Sequence, residues 1–330
     1  MERRYNLTHF ILAVVIVLGL TPLIVGAAPQ AQIVFSSNRD GNWEIYVMDA
    51  DGKNLRRLTK NPHDEWEPSW SPDGKRIAFT ASEDRIVDQH PQIYVMDANG
   101  GNLRRLTKNP FPEWDPSWSP DSKHIAFTAT VNQHTNIYVI DADGRNLRRL
   151  GQDEQMGENP SWSPDGKHIA FVSARGKDGW DNDIYVMDAD GKNQRILTNN
   201  DFGDWEPSWS SDGERIAFSS GRHGNNDIYV MDADGGNLRR LTKNDFDDRY
   251  PSWSPDSKRI AFTSEGVGNF DIYVMNADGA RQVRRLTKNR SGDADPAWFD
   301  PAFAIEVDPF AVGPTGKKFT IWGRLKQVDR

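Results

Sequence analysis

One unit written six times constrains this chain more than any other feature it has. The triplet Ile33-Val34-Phe35 returns as Ile77-Ala78-Phe79 and begins again at Ile125, Ile169, Ile216 and Ile260, at spacings of 44, 48, 44, 47 and 44. Each triplet is followed by Ile-Tyr-Val (Ile45, Ile93, Ile137, Ile184, Ile228, Ile272) and then by an Asp-Gly or Asn-Gly turn. Next come a segment such as Leu55-Arg56-Arg57-Leu58 and Pro68-Ser69-Trp70-Ser71-Pro72-Asp73-Gly74 or a close variant. Self-similarity at this period means that one supersecondary unit buries its apolar surface against copies of itself. The uneven spacings have a local cause. Nine residues separate the Phe of the triplet from Ile-Tyr-Val in four repeats, thirteen in repeat two and twelve in repeat four. Apart from one residue near Ala280, length varies in that connection alone.

Each unit reads as four short strands. Ile-Ala-Phe and Ile-Tyr-Val-Met are β-branched and aromatic, and turn formers bound them. They do not alternate apolar with polar residues, so both faces of the strands are expected to be covered. A blade packed between two neighbours meets that condition. Pro-Asp-Gly and Asp-Ala-Asp-Gly supply tight antiparallel turns and absorb much of the count of 27 glycines. Ser122 and Ser257 stand where Gly occurs in the sister turns, so a different turn geometry is expected there. A four-stranded repeat of this length predicts an all-β, six-bladed β-propeller of antiparallel blades around a narrow channel. The chain enters in mid-blade at Ile33, and an extra Pro296-Ala297-Trp298-Phe299 remains at the far end. That piece is expected to complete blade one and close the ring, since an unclosed blade would leave raw strand edges.

The unit Ile-Ala-Phe, Asp-Ile-Tyr-Val-Met-Asp-Ala-Asp-Gly, Arg-Arg-Leu-Thr, Pro-Ser-Trp-Ser-Pro-Asp-Gly-Lys resembles the WD-like repeat of the TolB-like β-propeller family, best between Ile216 and Trp253. The resemblance is to the propeller part of TolB and does not extend to the α/β domain that TolB carries ahead of its propeller. It implies a protein-interaction module of the bacterial periplasm. In that family TolB works with the peptidoglycan-associated lipoprotein of the Tol-Pal system. Fold does not by itself fix function.

Residues 1–27 form the layout of a secretory signal peptide: Arg3 and Arg4, an apolar run from Phe10 to Val25, then Gly26, Ala27 and Ala28. Cleavage after Ala27 takes the net charge from −8 to −9, since two arginines and one glutamate leave. The expected domains are thus the leader 1–27, a propeller over 28–303 and a basic tail over 304–330 carrying Lys317, Lys318, Arg324, Lys326 and Arg330. The expected location is periplasmic or secreted, as a monomer with no stable membrane insertion once the leader is removed. Zero cysteines exclude disulfides, a Cys-ligated zinc and a thiol nucleophile. The acidic balance argues against nucleic acid, whose phosphates call for basic patches.

Two rims follow from antiparallel connectivity. The first carries the near-identical Pro-Asp-Gly and Asp-Ala-Asp-Gly turns, and the second carries the length changes and most of the sequence variation. Specificity belongs on the variable rim, because loops on a rigid scaffold carry function. The residue before the inner-strand proline is Glu67, Asp115, Asn159, Glu206, Tyr250 and Asp295 in turn. These positions should ring one channel mouth. One residue earlier stand Trp66, Trp114 and Trp205, with Arg249 in repeat five. The candidate partner-binding set is therefore Glu67, Asp115, Glu206, Asp295, Trp66, Trp114, Trp205, Arg249 and Tyr250. Carboxylates around an aromatic mouth would attract a cation or a basic peptide segment. The plainer alternative is that the carboxylates bond backbone amides and the tryptophans cover blade seams.

No catalytic, cofactor or metal residue is assigned. Neither His-Glu-x-x-His nor Gly-x-Ser-x-Gly occurs, and Asp-Ala-Asp-Gly-x-Asn lacks the further ligands of a calcium loop. His124 and His168 replace arginine at a repeat position, which makes them turn residues; His63, His90, His134 and His223 fall singly on variable-rim loops. The repeated Trp70, Trp118, Trp162, Trp209, Trp253 and Trp298 are packing residues. The Arg-Arg pairs (Arg56-Arg57 and its copies) put charge on the outermost strands, which discourages sheet-to-sheet association. The expected function is a non-catalytic extracytoplasmic scaffold for a protein or peptide partner in the cell envelope. The alternative is a carbohydrate-binding or carbohydrate-active propeller acting on envelope or extracellular glycans.

Overall fold

The computed structural model describes residues 30–82, 90–151, 157–174, 182–266, 268–279 and 283–304. The leader 1–27, the tail beyond 304, the extra residues of repeats two and four and the insertion near Ala280 lie outside them. Among the described residues, 24 strands form six four-stranded antiparallel sheets, with a single 3-10 turn at Pro301–Phe303. Blade 1 runs from the channel outward as Asp293–Phe299, Gln32–Ser37, Glu44–Asp49 and Arg56–Arg57. Blades 2 to 6 begin with the innermost strands Asp64–Trp70, Glu113–Trp118, Glu158–Trp162, Asp204–Trp209 and Asp248–Trp253, and each then proceeds in chain order.

The ring closes as the extra segment predicts. Ile33 pairs with Trp298 and Val34 with Ala297, so the last strand supplies the inner edge of the first blade. Innermost strands touch their neighbours all the way round, including Asp293–Phe299 against Asp64–Trp70.

The core is six seams between blades. Val34, Ile45 and Val47 of blade 1 meet Trp70, Ile77 and Phe79 of blade 2, while Ile33 and Phe35 point the other way into blade 6. Successive side chains of one strand thus enter different seams, and this is why the apolar runs lack alternation. Phe35, Phe79, Phe127, Phe171, Phe218 and Phe262 are the largest fully buried side chains, one per repeat.

The two serine-containing turns correct the expectation of a different geometry. Ser122 and Ser257 have φ of 58° and 56°, in the same left-handed region as Gly74 at 67° and Gly213 at 75°. Their neighbours offset the strain. The Ser122 hydroxyl accepts from the Asp73 amide at 3.1 Å, and the Ser257 hydroxyl accepts from the Asp212 amide at 3.0 Å.

The arginine pairs do more than charge an edge. At several seams the first arginine of the outermost strand reaches the next blade's turn: Arg104 donates to the Ala142 carbonyl at 2.6 Å, and Arg195, followed by Ile196 rather than a second arginine, donates to Ala233 at 3.1 Å. Arg284 closes the circle on Ala50 at 3.3 Å. In three blades the second folds back onto a buried acid of its own blade, as Arg57 does onto Glu44, Arg285 onto Asp271 and Arg240 onto Asp227, the last at 2.7 Å, while Arg105 reaches Gln92.

Candidate functional site

Six equivalent residues begin the channel mouth, each on a kink in an innermost strand. Glu67, Asp115, Asn159, Glu206, Tyr250 and Asp295 all have φ between 50° and 56°, a region that asparagine and aspartate tolerate but glutamate and tyrosine seldom adopt. Strand register shifts at this point in every blade, the mark of a β-bulge. A bulge re-aims a side chain and leaves one amide outside the ladder, and that amide needs another acceptor.

The neighbouring blade supplies it. The Glu67 carboxylate accepts from the Asp115 amide at 2.8 Å and from the Thr80 hydroxyl at 2.7 Å. Asp295 accepts from the Glu67 amide at 3.3 Å and the Ser36 hydroxyl at 2.9 Å. Glu206 accepts from the Tyr250 amide at 2.9 Å and from the Ser219 hydroxyl. At two of the other three seams a hydroxyl serves: Thr128 takes the Asn159 amide and Thr263 the Asp295 amide, both at 3.1 Å. The carboxylates therefore knit the ring through backbone amides, as the plainer reading of these residues expected.

Enclosure raises their pKa values. Burial, with Glu67 as a second negative charge, pushes the Asp295 carboxyl up to about 7. Burial and the same neighbour lift Asp115 well above the ordinary carboxylate range. Glu67 and Glu206 are raised by burial against the hydrogen bonds that favour their ionised forms. The Glu206 charge and burial raise the Tyr250 phenol above its ordinary value.

Five of the nine candidate residues line one cavity of about 480 Å3 on the variable rim: Trp66, Glu67, Arg249, Tyr250 and Asp295. Asp115, Trp114, Glu206 and Trp205 lie outside that lining. Trp205 instead packs on the seam between blades 4 and 5. Trp43, Asp247, Thr263, Phe270 and Ala294 complete the walls and were not singled out from the sequence. Trp43 and Phe270 stand at equivalent places, one residue before the buried acids Glu44 and Asp271. An aromatic at that place in two repeats adjacent around the ring is the signal that could have found them. Two residues before those acids, Asn42 and Asn269 tie this loop to the crossover: Asn42 donates to the Asn61 carbonyl at 3.1 Å and Asn269 to Ser291 at 2.8 Å. Arg249 lies 3.7 Å from Asp247 at the rim.

A family model described as the TolB beta propeller domain matches residues 28–114, 108–179 and 176–250. The chain belongs to the TolB beta propeller domain family. Within TolB relatives, it is 48% identical over 46 residues to the Tol-Pal system protein TolB of Geobacter sulfurreducens, covering 14% of this chain and 11% of that one. It is 40% identical over 52 residues to the Tol-Pal system protein TolB of Desulfosudis oleivorans, covering 16% and 12%. The solved TolB of Acinetobacter baumannii superposes with a TM-score of 0.69 at 26% identity, over 81% of this chain and 66% of that one. A structure of a TolB-related protein from Agrobacterium tumefaciens superposes at 0.62 and 23% identity, which speaks for the fold alone. The chain thus spans less than two thirds of the TolB proteins it matches first. Among the described residues, no helix is long and apolar enough to cross a membrane.

Proposed function

We propose that this TolB-family propeller is a non-catalytic interaction scaffold of the cell envelope, holding a protein or peptide partner at its variable rim. The observation that carries the reading is the 480 Å3 cavity, where the half-buried Trp43, Trp66 and Tyr250 and the exposed Phe270 surround carboxylates and one arginine. Aromatic walls beside charges of both signs are the composition of interaction hot spots. The relatives named Tol-Pal system protein TolB support an envelope setting, as does the leader read in residues 1–27. Glu67 and Asp295 would draw a cationic side chain or a cation into the mouth; such a ligand would favour their ionised forms and release protons.

Photo-crosslinkers at positions 43 and 270, with one at the exposed position 99 on the opposite rim as a control, test this in an envelope fraction. A discrete protein adduct from 43 and 270, lost with Trp66→Ala plus Arg249→Glu, is expected. Adducts to glycan alone would favour the carbohydrate alternative, and equal yield from position 99 would overturn the assignment of the rim.

A further inference from the structure

On the turn-bearing rim, opposite the mouth, three seams are capped by an arginine laid on the next blade's indole. Arg76 stands 4.6 Å from the ring centre of Trp118 and donates to the Ser122 carbonyl at 2.9 Å. Arg215 stands 4.6 Å from Trp253 and donates to the Ser257 carbonyl at 3.0 Å. Arg259 lies 4.8 Å from Trp298. At a fourth seam Phe299 stacks on Trp70, with ring centres 4.9 Å apart. The four indoles so covered are only 5–8% exposed.

The remaining two seams break the pattern. There the arginine position holds His124 and His168, and the indoles they would cover, Trp162 and Trp209, are only half-buried. Histidine is too short to lie across the neighbouring ring as arginine does. His168 instead has its Nε2 3.7 Å from the Asp188 carboxylate of its own blade. Over Trp209 a cavity of about 370 Å3 results, lined also by Pro164, Asp165, His168, Arg195, Asp212 and Asp234. Gly213, in the same lining, occupies the place of Ser122 and Ser257, so its carbonyl is the counterpart of the acceptors used in the capped seams. Arg195 is committed to the Ala233 carbonyl at 3.1 Å. Burial works against ionisation of Asp165 and Asp212. Hydrogen bonds from Ser163 and the Lys167 amide, and from Ser210 and the Glu214 amide, nevertheless hold the two carboxyls below their ordinary value. Arg215, while lying over Trp253, also stands 3.5 Å from one Asp212 oxygen and helps to lower that carboxyl; the cavity is thus an aromatic face beside ionised carboxylates and a carbonyl, with Arg195 on one wall.

We infer that the Trp209 cavity is a binding site for an arginine side chain of a protein partner, which takes the place that the chain's own arginines fill in the sister seams. The planar guanidinium can stack on the indole while its fork reaches the Gly213 carbonyl and the Asp212 carboxylate. Lysine, a point charge without a plane, cannot do both. This site is independent of the mouth on the variable rim, and the two can fail separately.

The test is 19F NMR on the full protein labelled with 5-fluorotryptophan, titrated with the peptides acetyl-Gly-Arg-Gly-amide and acetyl-Gly-Lys-Gly-amide. The Trp209 resonance, assigned through Trp209→Phe, should shift on adding the arginine peptide and respond at least several-fold more weakly to the lysine peptide. His168→Arg restores the arginine found in the sister repeats, so the variant is expected to fold. Its own side chain should fill the site and abolish the response, and Asp212→Asn should weaken binding several-fold. No shift in the wild type, equal response to both peptides, or a response that survives in His168→Arg would each overturn the inference.

Discussion

The Glu67 carboxylate receives the Asp115 amide at 2.8 Å across the seam between blades 2 and 3. One side chain thereby satisfies the donor that the neighbour's bulge has freed. The same oxygen takes the Thr80 hydroxyl at 2.7 Å, so two donors depend on it. Glu67→Ala orphans both, while Glu67→Gln keeps an acceptor and removes the charge that raises Asp115 and Asp295. Urea denaturation should therefore find the alanine variant about 1–3 kcal/mol less stable than the glutamine variant. Equal midpoints would remove the stitch from the account.

Asp295 gives stability a pH dependence of defined sign. Its folded pKa of about 7 lies above the value near 3.9 expected of an unfolded Asp. The folded state thus holds the proton more tightly, and this group's contribution is fully present below about pH 4 and is lost as pH rises through about 7. Asp295→Asn keeps an acceptor for Ser36 but does not titrate. The melting temperature of the variant minus that of the wild type should rise steadily between those limits, and a flat difference would contradict the assignment.

Blade 4 carries the gap in the hydroxyl series. Ser36, Thr80, Thr128, Ser219 and Thr263 stand behind the other bulges, and Val172 takes their place here. The Thr128 and Thr263 hydroxyls each meet the next blade's bulge amide at 3.1 Å. Val172→Thr offers the same acceptor to Glu206. The expected outcome is unchanged stability or a gain of about 1 kcal/mol, against the loss that a hydroxyl buried without a partner would cause. Chemical denaturation decides between them.

Arg240 guards a buried charge. It pairs with Asp227 at 2.7 Å, and the Asp227 side chain is fully enclosed. Arg240→Met leaves that carboxylate uncompensated, at a cost of about 3 kcal/mol near neutral pH. The deficit should shrink toward acid, where Asp227, already raised by burial, takes up a proton. Thermal melts at two pH values read both parts.

The fold was legible because its information is local and repeated. Ile-Ala-Phe, the two turn types and the surplus Pro296-Ala297-Trp298 are enough for six blades and their closure. The site was half legible. Glu67 and Asp295 announce themselves by register, and their bonding to amides was one of two readings their chemistry allowed. What they bond to depends on seams between residues some 48 positions apart or more, which no local pattern encodes. Ser122 and Ser257 misled because the hydroxyl contacts that sustain their left-handed turns come from the adjacent blade. Trp43 and Phe270 escaped notice because they sit in loops whose repeats otherwise share little.

Closure by the last strand also sets the order in which the molecule can be made. Ser36 and Asp295, joined by a hydrogen bond, are 259 positions apart. The first blade therefore waits with one edge open until the sixth has emerged. Contacts of such long range are slow to form, and an exposed strand edge is a template for pairing with other chains. During synthesis Gln32–Ser37 is thus the segment most in need of protection, and a chain truncated before Asp293 would never lose that need.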